Sequence, residues 1–145
     1  MINVEVSIVI NRPVADVFAF VANFENHPKW ETNFLEVKRA SPDPIGAGTI
    51  YECALKLPGQ RAQSRFEITE YELNRKIAFR ADQPAQARPA GSMTFESVAG
   101  GTKLTVLPRP EMGGLFKLLE PLMAGYIKQN NVDHLRQLKA LLEAQ

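Results

Sequence analysis

The chain has 145 residues, with 17 lysines and arginines against 16 aspartates and glutamates, and a formal net charge of +1. This length is typical of one domain, residues 1–145, that can bury a substantial core. The nearly balanced charge, with no run of Lys or Arg, lacks the electrostatic footprint of a protein that binds nucleic acid or an anionic membrane.

The beginning of the chain has no basic stretch followed by an apolar run, and no segment approaches about 18 uninterrupted apolar residues. We therefore expect neither secretion nor a membrane span, and we expect a cytoplasmic location. The single cysteine, Cys53, cannot form an internal disulfide, which is consistent with a reducing compartment.

The first elements are a strand and two short helices. Alternating apolar residues over 4–10 predict the strand, and Pro13 follows where a first helical turn accepts a residue without an N–H. Apolar residues at helical spacing over 14–21 predict the first helix. Pro28 is expected to begin a second, short helical turn that ends before Trp30.

From Phe34 to Val106 the apolar residues alternate with polar ones, and turn residues interrupt them at intervals. One dry face and one wet face indicate an antiparallel sheet that is covered on one side. We count about seven strands in all. The alternation places Leu35 and Val37 on the same face, and the Pro- and Ala-rich segment 82–91 is predicted to be a loop.

The end of the chain is predicted to be helical. Pro121 would remove a hydrogen bond from a helix interior, so it more plausibly starts a long second helix after a first piece over 115–119. The long helix has an apolar face that must lie against the dry face of the sheet.

This order of elements resembles the SRPBCC superfamily, which includes START lipid-transfer domains and polyketide cyclases/dehydratases. The resemblance covers nearly the whole chain, and none of its segments is a catalytic motif. It implies an α+β helix-grip fold, in which a curved antiparallel sheet of about seven strands wraps around a long C-terminal helix, with two short helices between strands 1 and 2 and a cavity under the long helix. The segments that carry the resemblance are residues 10–18, Trp30, residues 46–49 and residues 135–143.

Strand parity identifies the side chains that can enter such a cavity. The inward positions of the strands are apolar, and they include no pair of carboxylates of the kind that glycosidases use. An apolar pocket with a few hydroxyl and amide groups suits a small hydrophobic ligand. The candidate ligand-binding residues are Trp30, Tyr51, Phe66, Phe79, Phe95, Asn131 and His134.

Several of these candidates have a second interpretation. Asn131 lies in the apolar face of the long helix and needs a hydrogen-bond partner, which is either another group of the protein or a ligand or cavity water. Trp30 either fills the core or walls the pocket. Tyr51 either orients a ligand or keeps its hydroxyl in water. His134 has the intrinsic pKa of a general base, about 6.5, but no acidic partner can be identified, so no catalytic residue is assigned.

The remaining reactive side chains favour no further site. Cys53 is expected to be a small core hydrophobe. His27, Cys53 and His134 are too scattered for a metal site of known spacing, so we expect no metal and no cofactor.

The favoured function is binding or carrying a small hydrophobic molecule, such as a lipid, a polyketide or another ring compound, by a monomer or homodimer. The alternative is a cyclase/dehydratase-type enzyme that acts on a hydrophobic substrate in the same cavity. An enzyme needs an inward Arg, His, Glu or Asp near its substrate, and the sequence offers only His134. A third possibility is an interaction module whose pocket is filled by its own Phe and Met side chains.

Overall fold

The computed structural model describes residues 3–57 and 59–145. It begins with one strand and two short helices, as the sequence predicts: β1 (Val6–Ile10), α1 (Val14–Ala22) and a 3-10 helix (Phe24–Lys29). The expected role of Pro28 is wrong, because the 3-10 helix starts at Phe24 and contains Pro28 near its end. The Asn23 side chain sets that start, since its Oδ1 accepts a hydrogen bond from the Glu25 N–H at 3.1 Å.

The main sheet is built from β1 and six later strands. Those later strands are β2 (Phe34–Arg39), β3 (Ile50–Leu57), β4 (Gln60–Glu72), β5 (Lys76–Ala81), β7 (Ala90–Val98) and β8 (Gly101–Pro108). Within the described residues, these seven strands form one antiparallel sheet in the order β1-β8-β7-β5-β4-β3-β2. The predicted number of strands is therefore confirmed for this sheet.

The inward face of the sheet is the predicted apolar one, except at the start of β2. Leu35 is 41% exposed whereas Val37 is partly buried against the core, so the prediction that the two share a face is wrong. The register of β2 against β3 shifts between Phe34 and Glu36. An extra residue at such a bulge reverses the side-chain alternation, and Phe34 takes the buried position instead.

The segment 82–91 is not wholly a loop. It contains β6 (Ala87–Arg88), which pairs with β9 (Glu111–Met112) in a separate two-stranded ribbon. Both strands have only two residues, which is too short for alternation to be visible in the sequence.

The chain ends in α2 (Leu115–Leu118) and α3 (Glu120–Glu143), which are separated at Leu119. Pro121 lies in the first turn of α3, where its missing N–H breaks no helical hydrogen bond, so the predicted restart is confirmed. None of the helices in the described part of the chain is long and apolar enough to cross a membrane.

The two halves of α3 differ in burial. Its buried residues are Leu135, Leu138 and Leu142, all in the C-terminal half. In α2 and the first turns of α3, by contrast, large apolar side chains are exposed, among them Leu118 at 78% and Leu122 at 77%.

Hydrogen bonds join the C-terminal end of α3 to the end of β1. The Glu143 carboxylate accepts from the Asn11 N–H at 2.7 Å, and the Arg12 guanidinium donates to the Leu142 carbonyl at 2.8 Å. The Lys139 ammonium donates to the Val9 carbonyl at 2.7 Å. This end of the helix is therefore fixed to the sheet by both packing and polar contacts.

Candidate functional site

A cavity of about 250 Å³ lies between the sheet and the N-terminal half of α3. Its apolar wall comes from inward positions of six strands of the main sheet and from one side of α3. These wall residues include Leu55, Phe66, Phe79, Met93, Val106, Met123 and Ile127. The β6–β9 ribbon completes the wall with Ala87 and Met112, so the short strands missed in the sequence are part of the site.

Polar side chains from two parts of the chain also line the cavity. One group lies in the 3-10 helix and in the segment after it, and the other group lies on α3. The Thr32 hydroxyl joins the two groups through a contact of 3.3 Å to His134 Nε2. The polar side chains in the lining are His27, Glu31, Asn33, Asn130, Asn131 and His134. The cavity therefore has a mostly apolar wall and a polar region between the 3-10 helix and α3.

His27 is the most buried member of this polar region, with 3% of its surface exposed. Its Nε2 lies 3.0 Å from the Val21 carbonyl oxygen. A carbonyl only accepts, so Nε2 carries the hydrogen of this bond. The other ring nitrogen, Nδ1, has no hydrogen-bond partner among residues 3–57 and 59–145, and the nearest carboxylate oxygen, Glu31 Oε2, is 3.5 Å away.

The local fold explains why His27 and Glu31 lie together. The 3-10 helix ends in a turn in which both the Trp30 and the Glu31 N–H donate to the His27 carbonyl, at 3.0 and 2.7 Å. This turn brings the two side chains to the same side of the chain. Aromatic neighbours hold the imidazole, because the Phe24 ring stacks on it with centroids 4.2 Å apart and Trp30 lies 5.0 Å away.

Four of the residues predicted from the sequence line the cavity: Phe66, Phe79, Asn131 and His134. One donor of the Asn131 amide is satisfied by the protein itself, since Nδ2 donates to the Ile127 carbonyl at 2.9 Å. His134 faces the cavity beside Thr32. Whether a ligand contacts these side chains stays a prediction.

The other three candidates, Trp30, Tyr51 and Phe95, are in the core and do not line the cavity. Trp30 lies behind His27, and Tyr51 lies behind Phe24 with ring centroids 5.0 Å apart. Tyr51 is fully buried, so its hydroxyl is not kept in water, and it is not among the residues that line this cavity. Burial raises the pKa of Tyr51, and the neighbouring Phe24 backbone offsets part of this rise, although no group in the described ranges meets hydrogen-bond geometry with the hydroxyl.

Sequence reasoning missed His27 and Glu31 as a pair. Strand parity cannot place them, because they lie in a 3-10 helix and the turn after it. The only feature of the sequence that could have identified the pair is the spacing of four residues between them, with an aromatic residue before and after the two.

The Cys53 thiol is not a candidate nucleophile. It is 1% exposed on the inward face of β3, and burial, reinforced by the charge of Glu31, raises the pKa of its thiol to about 12. The thiol is therefore neutral near pH 7 and behaves as an apolar core group. In the part of the chain that the structure describes, no three or more His, Cys, Asp or Glu side chains are grouped to hold a metal ion.

Comparison with known families identifies the class of protein. The model of the family described as polyketide cyclase / dehydrase and lipid transport matches residues 1–143. The chain belongs to this family, which agrees with the resemblance seen in the sequence. No curated protein matches the sequence significantly.

Solved structures share the fold at low sequence identity. TTHA0849 from Thermus thermophilus is 18% identical, with a TM-score of 0.75 over 98% of this chain and 97% of that one. Ara h 8.0201 is 15% identical, with a TM-score of 0.74 over 99% and 98% of the two chains. The di-domain ARO/CYC protein StfQ from the steffimycin biosynthetic pathway is 14% identical, with a TM-score of 0.79 over 99% of this chain and 51% of its own. These likenesses confirm the α+β helix-grip fold.

Proposed function

We propose that the protein binds and carries a small, mostly apolar molecule in the cavity under α3. The observation that carries the proposal is the cavity itself, in which apolar strand residues form the wall and a few polar side chains are gathered in one region. Pockets for small ligands have this composition, with the apolar wall supplying affinity and the polar groups fixing orientation. Membership of a family that is described by both cyclisation and lipid transport is consistent with such a ligand.

The volume narrows the class of ligand. A cavity of about 150 Å³ holds benzene, and pockets for drug-sized molecules begin at about 300 Å³. At about 250 Å³ the cavity suits a compact molecule of one or two rings better than a long lipid.

Filling the cavity tests this proposal. Ala90 lines the cavity at the start of β7, and Ala90→Leu should weaken the binding of 2-naphthol, measured by its fluorescence, by about tenfold or more because the added atoms occupy ligand space. Ala78→Leu is the matched control, since Ala78 lies on β5 and is not part of the lining. Equal binding by the two variants, or no binding of 2-naphthol by the unmodified protein, would contradict the proposal.

A second candidate is catalysis of the cyclase/dehydratase type. Three titratable side chains, His27, Glu31 and His134, line the cavity, whereas the sequence alone pointed to one. Such groups are the ones that move protons during ring closure or dehydration. A turnover assay with β-dicarbonyl and polyketide-like substrates tests this candidate.

A further inference from the structure

Large apolar side chains are exposed along one short stretch of the chain, from α2 through the first turns of α3. We call this surface the apolar patch, and its residues are Leu115, Phe116, Leu118, Leu119, Leu122 and Tyr126. The stretch 115–126 is at most about 18 Å long at the helical rise of about 1.5 Å per residue, so these side chains are neighbours. None of them lines the cavity under α3, so the patch is separate from the site of the proposed function.

The apolar patch is larger than the apolar surface that a monomer typically leaves in water. Leu115, Leu118 and Leu122 are each more than three-quarters exposed, and Tyr126 is 64% exposed. At about 180–200 Å² for a fully exposed residue of this size, the patch exposes roughly 700 Å². The largest apolar patch of a typical monomer covers about 300–600 Å². One side of a standard protein interface loses about 800 Å², so the patch has the size of an interface.

Gly125 indicates that a helix covers the apolar patch. Gly125 and Tyr126 lie three and four residues after Leu122 in α3, so the three residues share one face of the helix. Glycine destabilises the interior of a helix relative to alanine. Apart from the backbone of its own helix, no atom in the described part of the chain lies within 4 Å of the place that a Cβ at Gly125 would take. The packing of one chain therefore does not require this glycine, whereas a second helix that crosses closely over this face does.

We infer that the apolar patch is the interface between two copies of this chain, and that their α3 helices cross at Gly125. A two-fold axis brings the same patch of both copies together, which buries roughly 1,400 Å² of apolar surface, close to the total of a standard interface. The patch contains no charged residue that would select a partner of opposite charge, and an uncharged apolar surface is complementary to itself. The net charge of +1 leaves little repulsion between the copies. A lipid surface does not explain the glycine, because a larger apolar side chain at this position would bind lipid better.

Sedimentation equilibrium of the unmodified protein is the first test. We expect a monomer–dimer equilibrium with a Kd in the micromolar range or tighter, as for other interfaces of this size. A single species with the mass of one chain at about 100 µM protein, well above such a Kd, would overturn the inference. This result would leave the proposed function untouched, because ligand binding is measured separately and the patch does not line the cavity.

Leu122→Glu locates the interface. It places two like charges in the apolar contact and should raise the Kd of the dimer by about tenfold or more. Glutamate is favourable near the start of a helix, so the variant should fold, and its circular dichroism spectrum should match that of the unmodified protein. Leu73→Glu is the matched control, because Leu73 is also largely exposed but lies in the turn between β4 and β5. It should keep the Kd of the unmodified protein, and an unchanged Kd in Leu122→Glu would overturn the inference.

Gly125→Leu distinguishes a second copy from a lipid surface. Leucine has room at this position within one chain and is the better helix former, so the change should not impair folding. In the dimer its side chain would stand where the two helices meet, and the Kd should rise by about tenfold or more. A patch that serves a lipid surface predicts the opposite: Gly125→Leu would bind vesicles of phosphatidylcholine and phosphatidylserine more tightly than the unmodified protein. Tighter vesicle binding by this variant, or a dimer with unchanged Kd, would overturn the inference.

Discussion

At the scale of single residues, Cys53 shows how burial suppresses chemistry. Its thiol has a pKa raised to about 12, so almost no thiolate exists near pH 8. We expect the native protein not to react with 5,5′-dithiobis(2-nitrobenzoate) at pH 8, while the unfolded chain in guanidinium should release one equivalent of thionitrobenzoate. Rapid labelling of the native protein would show that β3 opens readily or that the thiol is activated.

His134 separates the two candidate functions. In a carrier, His134→Gln should change the affinity for 2-naphthol by less than about threefold, because glutamine keeps a polar side chain beside Thr32. In an enzyme that uses this imidazole as acid or base, turnover should fall by about a hundredfold or more. We expect titrations to show the small change in affinity. A fall of about a hundredfold in the turnover of polyketide-like substrates would instead show that the protein is an enzyme.

The regular patterns of the sequence placed some residues of the cavity, and its irregular segments hid others. Phe66 and Phe79 were found because strand alternation assigns each side chain to a face. His27 and Glu31 were not found, because their approach depends on the turn that closes the 3-10 helix and not on a repeating pattern. Trp30 was equally ambiguous, since whether it walls the cavity depends on the His27 ring in front of it.

At the scale of elements, Pro121 tests the restart of the C-terminal helix. Pro121→Ala should change the free energy of unfolding by no more than about 0.5 kcal/mol, because the first turn of α3 needs no N–H hydrogen bond at this position. Gln129→Pro, at an exposed position inside α3, should cost about 3 kcal/mol or more. Urea denaturation measures both changes, and a similar cost for the two variants would contradict the restart.

The end of α3 gives a prediction about pH. The Lys139 ammonium and the Asn11 N–H both donate to Glu143, and together they lower the pKa of this carboxyl. A carboxyl whose pKa is lower in the folded protein contributes stability above its ordinary pKa and loses this contribution as the pH falls through the folded value. We expect the melting temperature of Glu143→Gln to be below that of the unmodified protein at pH 7, with the difference closing below about pH 4.

Glu5→Gln is the control for this experiment, because Glu5 is an exposed carboxyl that takes no part in the hydrogen bonds described between α3 and the end of β1. It should show little difference at either pH. A gap between Glu143→Gln and the unmodified protein that persists at pH 2 would mean that the hydrogen bonds of Glu143, and not its charge, account for the effect.

The wrong or missing predictions for the strands have a common cause. Leu35 was predicted to share a face with Val37 and does not, because one extra residue at the bulge reverses the alternation, and β6 was missed because two residues show no period. Long elements such as β4 and α3 were predicted because many residues repeat the same pattern. Irregular and very short elements depend on tertiary pairing, which a single sequence does not reveal.

At the scale of the whole molecule, the order of elements and the layer arrangement followed from the sequence, because a sheet with one dry face must be covered by the helix with the matching apolar face. The cavity was expected from the family resemblance and from an apolar sheet face opposite a helix face that contains Asn131. Its volume depends on how far the first half of α3 lies from the sheet, and that distance is set by packing rather than by pattern.

The uneven anchoring of α3 has a consequence for ligand entry. Its C-terminal half is held by Leu135, Leu138 and Leu142 and by the bonds to β1, whereas the half over the cavity contains none of the helix's fully buried residues. Local opening costs least where few apolar contacts are lost. Amide hydrogens of residues 123–131 should therefore exchange with deuterium faster than those of residues 135–142, and a ligand in the cavity should slow the first group selectively. One uniform exchange rate along α3 would mean that the helix opens as a single unit and that the cavity can be entered only when the whole helix leaves the sheet.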